Sequence, residues 1–331
     1  MQERILLVLN GGGALGAYQC GVYRTLVRHY GAEVLRRTVI VGASIGAVNG
    51  FLIAAHHHQP DSGLGTLERF WREVAQPSVP FLPFPETLSW RLNATLTGLT
   101  WGNPPVFHGV PGGFLAGLTW YPAMAGYDNR SLVETTRRYA EEYSPKEAAS
   151  PRLMIRAIDI EAATPAWFDS ADQPIVPTML GASSAIPLLF QPGRHAGRAY
   201  WDGDVWHQGL LLPALRRLLG EEPDQRLHVI TVELFKRSAG MPSGFGQSLD
   251  HFRRLFLGAR SDDEAEEATE RYPSLRLTRI RRAPHPGEEA SLWLMDWGAD
   301  RLAYLLEQGE QDAERALNEK QSESETTGNK K

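Results

Sequence analysis

VLNGGGALGAYQCGV, residues 8 to 22, has the layout of a strand, a glycine-rich turn and a helix. TVIVGASIGAVNGFLIAAH, residues 38 to 56, has the same layout, with a turn of small residues between its two apolar parts. The first apolar run, which starts at residue 4, is continuous, as expected for a strand buried on both faces. Two strand–helix units in residues 4 to 56 predict an α/β fold with a mostly parallel central sheet.

The rest of the chain is predicted to contain an insertion, a C-terminal extension and a tail. Residues 76 to 127 are rich in proline, glycine and aromatics and have no sustained period, which favours a cleft or lid insertion over a free linker. The main domain is predicted to span residues 1 to 235, and residues 236 to 320 to form an extension of helices and strand packed on it. The polar tail, residues 321 to 331, is predicted to be disordered.

Composition excludes several classes of function. A net charge of -5 and a pI of about 6.1 give no general attraction to nucleic acid. The single cysteine, Cys20, excludes an internal disulfide and any multi-cysteine metal site. The first apolar run is too short for a signal peptide, and no run approaches the roughly 18 residues of a membrane span. We therefore expect a cytoplasmic protein without a transmembrane segment.

The spacing Gly11-x-Gly13-x-x-Gly16 is also that of a dinucleotide-binding loop. Such a loop requires an acidic residue at the end of the second strand, to bind the ribose. Here that strand ends in glycine, alanine and serine, and Glu33 precedes it. No Gly-Lys-Ser or Gly-Lys-Thr is present either. The sequence thus disfavours a nucleotide, and no cofactor or metal is predicted.

Gly42-x-Ser44-x-Gly46 lies between an apolar strand and a helix, which is the context of a nucleophile elbow. The alternative interpretation is an ordinary turn with serine as the helix N-cap. A second motif favours the nucleophile, because Gly11, Gly12 and Gly13 follow the adjacent strand. Their amides could form an oxyanion hole beside Ser44. We therefore predict Ser44 as the nucleophile, Gly42 and Gly46 as its elbow glycines, and Gly11 to Gly13 as the oxyanion hole.

A serine nucleophile needs a base. The run of histidines at 56 to 58 lies late in the elbow helix, and His195, His207 and His228 belong to no motif. The stretch GRAYWDGDVWHQG, residues 197 to 209, offers Asp202 at a turn after a short strand. Its alternative is a plain Asp-Gly turn. Aromatic neighbours could raise the pKa of this carboxyl enough for it to act as a base.

GGGALG at 11 to 16, GASIG at 42 to 46 and DGD at 202 to 204 together resemble the patatin-like phospholipase family. YDNRSL at 127 to 132 and ASSAIPLLFQP at 182 to 192 add to the resemblance, which covers roughly residues 5 to 215. It implies a three-layer α/β/α fold and a Ser44–Asp202 dyad without histidine, with Gly203 and Asp204 completing the proton-acceptor motif. The part beyond residue 235 resembles a bacterial branch with a C-terminal extension.

The resemblance implies hydrolysis of acyl esters in phospholipids or related lipids, without a cofactor, and peripheral contact with a membrane surface. Short-chain or polymeric esters, or binding of lipid without catalysis, remain the alternatives. The sequence departs from the family at Leu15, where a basic residue is common, and at Asp204, which adds a second carboxylate. The insertion supplies candidates for the acyl cleft, whose alternative is core packing: Trp90, Trp101, Phe107 and Trp120.

Overall fold

A computed structural model describes residues 3–77, 102–109, 126–147, 149–221, 226–237, 241–242, 248, 251–252, 254–283 and 294–328. The strands are β1 Arg4–Leu9, β2 Val39–Gly42, β3 Gly102–Asn103, β4 Phe107–Gly109, β5 Tyr127–Asp128, β6 Arg152–Asp159, β7 Thr164–Asp169, β8 Gly193–His195, β9 Arg198–Asp202, β10 Leu227–Glu233 and β11 Arg276–Arg281. The α-helices are α1 Gly16–Leu35, α2 Ile45–Ala55, α3 Leu64–Glu73, α4 Arg130–Tyr139, α5 Pro177–Ser183, α6 Leu211–Glu221, α7 Ala259–Arg271 and α8 Ala299–Gly328.

The main sheet has the order β11-β10-β1-β2-β6-β9-β8, and β7 also pairs with β6. The strands from β11 to β6 are mutually parallel, whereas β7, β8 and β9 pair in antiparallel fashion at one end. The strands β1 and β2 lie side by side at the centre, so the two turns that follow them open at the same edge of the sheet. This mixed, mostly parallel sheet confirms the predicted fold class.

Helices cover both faces of the sheet. Along β1, Ile5, Leu7 and Leu9 face a core shared with α1, α2, α3 and α8. Leu6 and Val8 face a second core, to which α6 contributes most of the helical residues. Because successive strand residues point to opposite faces, a continuous apolar strand is what two such cores require.

The C-terminal part of the chain is built into this architecture. The strand β11 extends the main sheet beside β10, and α8 packs along α1, where its Asp312 accepts a hydrogen bond from the Tyr18 hydroxyl at 3.0 Å. The extension therefore contacts the predicted main domain through a strand ladder as well as through helices. The helix α8 continues to Gly328, into the tail that the sequence predicted to be disordered.

Only part of the predicted insertion is described. Its described residues form a small antiparallel sheet, β3-β4-β5, and Tyr127 of β5 is bridged to Phe190. The rest of the predicted cleft or lid insertion, residues 78–101 and 110–125, lies outside the described ranges. Within the described ranges, no helix combines the length and the apolar character needed to cross a membrane.

Candidate active site

Ser44 occupies a strained turn between β2 and α2. Its backbone has φ 54° and ψ −132°, a conformation that residues other than glycine rarely adopt. The turn is tight because Gly46 lies against the end of β1, where a Cβ would overlap the carbonyl oxygen of Leu9. At Gly42, a Cβ would approach the carbonyl carbon of Gly46 to 2.6 Å. Both glycines of the G-x-S-x-G motif are therefore sterically required.

Asp202 meets Ser44 because two strands converge on one edge of β6. Met154 and Ile155 pair with β2 and β7, while Ala157 to Asp159 pair with β7 and β9. Since β7 occupies one edge of β6 throughout, β2 and β9 must share the other. They run in opposite directions and end facing each other, with Gly42 opposite Ile155 and Asp202 opposite Ala157. The turns after β2 and β9 therefore lie next to each other.

The Ser44 side chain lies beside the Asp202 carboxyl group, where hydrogen bonding from it lowers the pKa of that carboxyl. Both residues are buried, and Asp202 is only 2% exposed. Burial raises the pKa of Asp202 to about 7, and the negative charge of Asp204 adds to the rise, although hydrogen bonds from Ser44 and the Asp204 amide oppose it. A carboxyl with that pKa is a competent base near neutral pH.

The glycine loop after β1 lies beside Ser44. A Cβ on Gly11 would come within 2.8 Å of the Ser44 Cβ, so only glycine fits there. The Gly11 amide donates a hydrogen bond of 2.9 Å to Asp204 Oδ2. Within the described residues, no acceptor is found for the Gly12 and Gly13 amides. Of the three predicted oxyanion amides, one is therefore already engaged.

Behind the nucleophile, Ser183 at the end of α5 supports the turn. The Ser44 amide donates to both the carbonyl oxygen and the hydroxyl of Ser183, at 3.1 and 3.0 Å. The Ser183 hydroxyl in turn donates to the Arg156 carbonyl oxygen of β6 at 2.7 Å. The sequence analysis assigned no role to Ser183, whose contacts depend on how α5 packs on the sheet.

A second buried network joins the glycine loop to the helix that follows Ser44. The Asn49 amide of α2 donates to the Gly16 carbonyl oxygen at 3.0 Å and to the Gln19 side chain at 2.8 Å. Gln19 donates to the Asn10 carbonyl oxygen at 2.7 Å, and Trp71 donates to Asn49 at 3.1 Å. These bonds fix the loop against α2.

Charged residues that the sequence analysis did not single out surround the DGD turn. Arg156 of β6 is fully buried and donates to the Gly203 and Gly209 carbonyl oxygens at 2.8 and 2.5 Å. Gly203 packs so closely on β6 that a Cβ would overlap the Arg156 carbonyl oxygen. Arg260 of α7 contacts the same turn from the C-terminal part of the chain, and Glu264 of α7 accepts a hydrogen bond from the Leu211 amide at 3.3 Å.

The other predicted residues fall into two groups. Phe107 is 1% exposed and packs edge-to-face on Tyr127 and Phe190, as a core residue does. The remaining acyl-cleft candidates, Trp90, Trp101 and Trp120, lie outside the described residues.

Two of the histidines that were considered as alternative bases, His195 and His228, are hydrogen-bonded to threonines. His228 is bonded to Thr278 on β11, and His195 to Thr178 on α5. No group of three or more potential metal ligands occurs among the described residues.

A strained serine at a strand-to-helix turn, next to a buried carboxylate and flanked by a glycine loop, is typical of serine hydrolases. A family model for patatin-like phospholipases matches residues 7–215, which is more than half of the chain. The chain belongs to the patatin-like phospholipase family, as its motifs predicted.

Several solved structures are similar to this chain at low sequence identity. VipD from Legionella pneumophila is 12% identical with a TM-score of 0.42, over 96% of this chain and 67% of that one. A chain of the ExoU–SpcU complex from Pseudomonas aeruginosa is 12% identical with a TM-score of 0.36. The match covers 96% of this chain and 51% of that one.

A human GIVD cytosolic phospholipase A2, in complex with methyl gamma-linolenyl fluorophosphonate, is 11% identical with a TM-score of 0.40. The match covers 95% of this chain and 58% of that one. This chain thus spans between half and two-thirds of the length of the three. A search of curated proteins found no match.

Proposed function

We propose that the protein hydrolyses acyl esters of phospholipids or related lipids through a dyad of Ser44 and Asp202. The observation that carries the proposal is the position of Ser44 beside a buried carboxyl group, that of Asp202, whose pKa is raised to about 7. The strained backbone of Ser44 supports it, because such strain persists where a side chain must be presented in a fixed direction.

In the proposed reaction, Ser44 Oγ attacks the ester carbonyl carbon while its proton passes to Asp202. The oxyanion binds to the Gly12 and Gly13 amides, since the Gly11 amide is engaged by Asp204. The bond to the leaving alcohol breaks, and Asp202 returns the proton to that alcohol. Water then attacks the acyl-enzyme, again losing its proton to Asp202, and the fatty acid leaves as the Ser44 hydroxyl is restored.

The start of α2 assists the same step. Ser44 directly precedes this helix of 11 residues, whose N-terminal end carries partial positive charge. Negative charge that develops on the substrate carbonyl beside Ser44 is therefore stabilised by the helix as well as by the amides. No metal or organic cofactor takes part in the proposed reaction.

The test is hydrolysis of para-nitrophenyl esters from acetyl to palmitoyl and of phosphatidylcholine vesicles. Ser44→Ala and Asp202→Asn should each lower kcat/KM by roughly 10³-fold or more, because a dyad acts as a unit. Ser144→Ala, in the loop that follows α4, and Asp172→Asn, at an exposed site, make the same two changes elsewhere and should retain activity. A fluorophosphonate probe should label the wild type by displacement of fluoride, and not Ser44→Ala.

The chain-length profile separates the alternatives. Preference for long acyl chains and for vesicles supports a lipid substrate, whereas preference for acetyl or butyryl esters indicates a short-chain or polymeric ester. Binding of lipid without turnover and without probe labelling would contradict catalysis and favour a lipid-binding protein. Substantial activity in Asp202→Asn would rule out the dyad.

A further inference from the structure

Helix α7 reaches the turn that carries Asp202 through one arginine. Arg260 is 8% exposed, and its Nη2 donates to Asp204 Oδ1 at 2.7 Å. Its Nη1 donates to the carbonyl oxygens of Asp204 and Trp206, at 2.8 and 2.7 Å. The guanidinium therefore holds both the side chain and the backbone of the DGD turn. Arg260 lies beyond residues 7–215, the part that the family model matches.

Asp204 transmits this contact to two parts of the active site. Its Oδ2 accepts the Gly11 amide at 2.9 Å, which ties it to the glycine loop beside Ser44. Its own amide donates to Asp202 Oδ1 at 2.7 Å. One buried residue thus joins the glycine loop and the base, while Arg260 compensates its charge.

We propose that Arg260 is a positioning residue for the Ser44–Asp202 dyad, acting through Asp204 to hold the DGD turn and the glycine loop in their reactive arrangement. This inference rests on the function proposed above. It assigns a catalytic-site role to the C-terminal part of the chain.

Among the described residues, four charged groups lie on or around the turn that carries Asp202. Asp204 follows Asp202 on the turn, Arg156 comes from β6, and Arg260 and Glu264 come from α7. Arg156 Nη2 lies 3.9 Å from Asp204 Oδ1, further away than Arg260. Arg260 is therefore the nearer partner of Asp204, whose negative charge raises the pKa of Asp202. Removing either member of this pair must change the proton affinity of the base.

Removing the charge of Asp204 and removing the charge of Arg260 should shift the pKa of Asp202 in opposite directions. A purely structural role of the two residues would not produce opposite shifts. Asp204→Asn removes a negative charge beside Asp202 and leaves Arg260, so the acid limb of the kcat/KM profile should move to lower pH. Arg260→Met leaves Asp204 poorly compensated, so the limb should move to higher pH. We expect shifts of about half a pH unit or more in each case. The double variant should lie between the two.

Arg260→Lys separates charge from geometry. Lysine keeps the positive charge but cannot donate to all three oxygens as the planar guanidinium does. The acid limb should stay near that of the wild type, while kcat falls by roughly 3- to 10-fold. Arg271→Met is the matched control, because it makes the same change at an exposed site on α7, and it should alter neither quantity. If Arg260→Met does not fold, Arg260→Lys and Asp204→Asn carry the test.

A second readout does not need turnover. In protein labelled with ¹³C-aspartate, the carboxyl resonance of Asp202, assigned by its loss in Asp202→Asn, should titrate with the same opposite shifts. Shifts in one direction only, or none, overturn the role of Arg260 even if Ser44 and Asp202 prove essential for turnover. Conversely, opposite titration shifts in a protein without turnover would support the coupling and contradict the proposed hydrolysis.

Discussion

At the scale of single residues, ionisation of the buried Asp202 carboxyl group lowers the stability of the folded protein. Its pKa rises from 3.8 to about 7 on folding, mainly because burial disfavours the charged form. Between these values the folded protein binds more protons at this group than the unfolded chain does, so stability falls as pH rises. The burial that raises the pKa of Asp202, and so suits it to act as a base, therefore also destabilises the folded protein at the pH where the base would act.

Asp202→Asn should accordingly stabilise the protein at pH 8 and have little effect at pH 4. Asparagine is neutral at both pH values and can still accept from the Asp204 amide, so it avoids the cost of burying a charge, on the order of a few kcal/mol. The midpoint of thermal unfolding should rise by roughly 3 to 8 °C at pH 8. Calorimetry at both pH values measures this difference.

Asp172→Asn is the matched control, because Asp172 is exposed and pairs with Arg217 on the surface. Its effect on the unfolding midpoint should be small and nearly the same at both pH values. A destabilised Asp202→Asn variant at pH 8 would show that the ionised carboxylate contributes net stability in the folded state.

At the scale of elements, the contact between α1 and α8 depends on two glycines. A Cβ on Gly21 of α1 would overlap the Leu306 carbonyl oxygen, and one on Gly309 of α8 would overlap the Tyr18 carbonyl oxygen. This close approach brings Arg24 within 2.9 Å of Glu310. The helices meet backbone to backbone, so neither position has room for a side chain.

Gly21→Val should therefore force α8 away from α1 and lower the free energy of unfolding by roughly 1 to 3 kcal/mol or more. Gly220→Ala is the control, because a Cβ at this helical glycine meets nothing within 4 Å. It should raise stability by roughly 0.5 to 1 kcal/mol, through helix propensity and a less flexible unfolded chain. Urea denaturation of both variants measures these changes. Equal stability of Gly21→Val and the wild type would contradict the close helix contact.

Sequence patterns predicted where strands, turns and helices lie along the chain better than they predicted which of them meet in the fold. The strand β1 has the predicted bounds, and the Ser44 turn lies between strand and helix as its glycine spacing requires. That Asp202 meets Ser44 could not follow from local pattern, since it depends on β9 running antiparallel to β2 along one edge of β6. Arg260 was missed because α7 is rich in charged residues, and such a helix is typical of a solvated surface.

At the scale of the whole molecule, the C-terminal part is bound to the rest at three places. The strand β11 extends the sheet at β10, Arg260 holds the DGD turn, and α8 covers α1. The sequence prediction divides the chain at residue 235, yet the main core contains residues from both sides of that division. Leu302, Leu305 and Leu317 of α8 are buried in it together with α1. We expect these parts to unfold together.

A chain that ends at residue 235 should therefore lose the cooperative thermal transition of the full chain. It would lose the apolar cover of α1 and leave β10 as an edge strand paired only with β1, and Asp204 would remain without Arg260. A chain that ends at residue 320 is the control, and its transition should match that of the full chain. Calorimetry and near-ultraviolet circular dichroism of the three chains measure this. A cooperative transition of unchanged midpoint in the shorter chain would mean that the extension is a separate unit, and it would also remove the structural basis for a positioning role of Arg260.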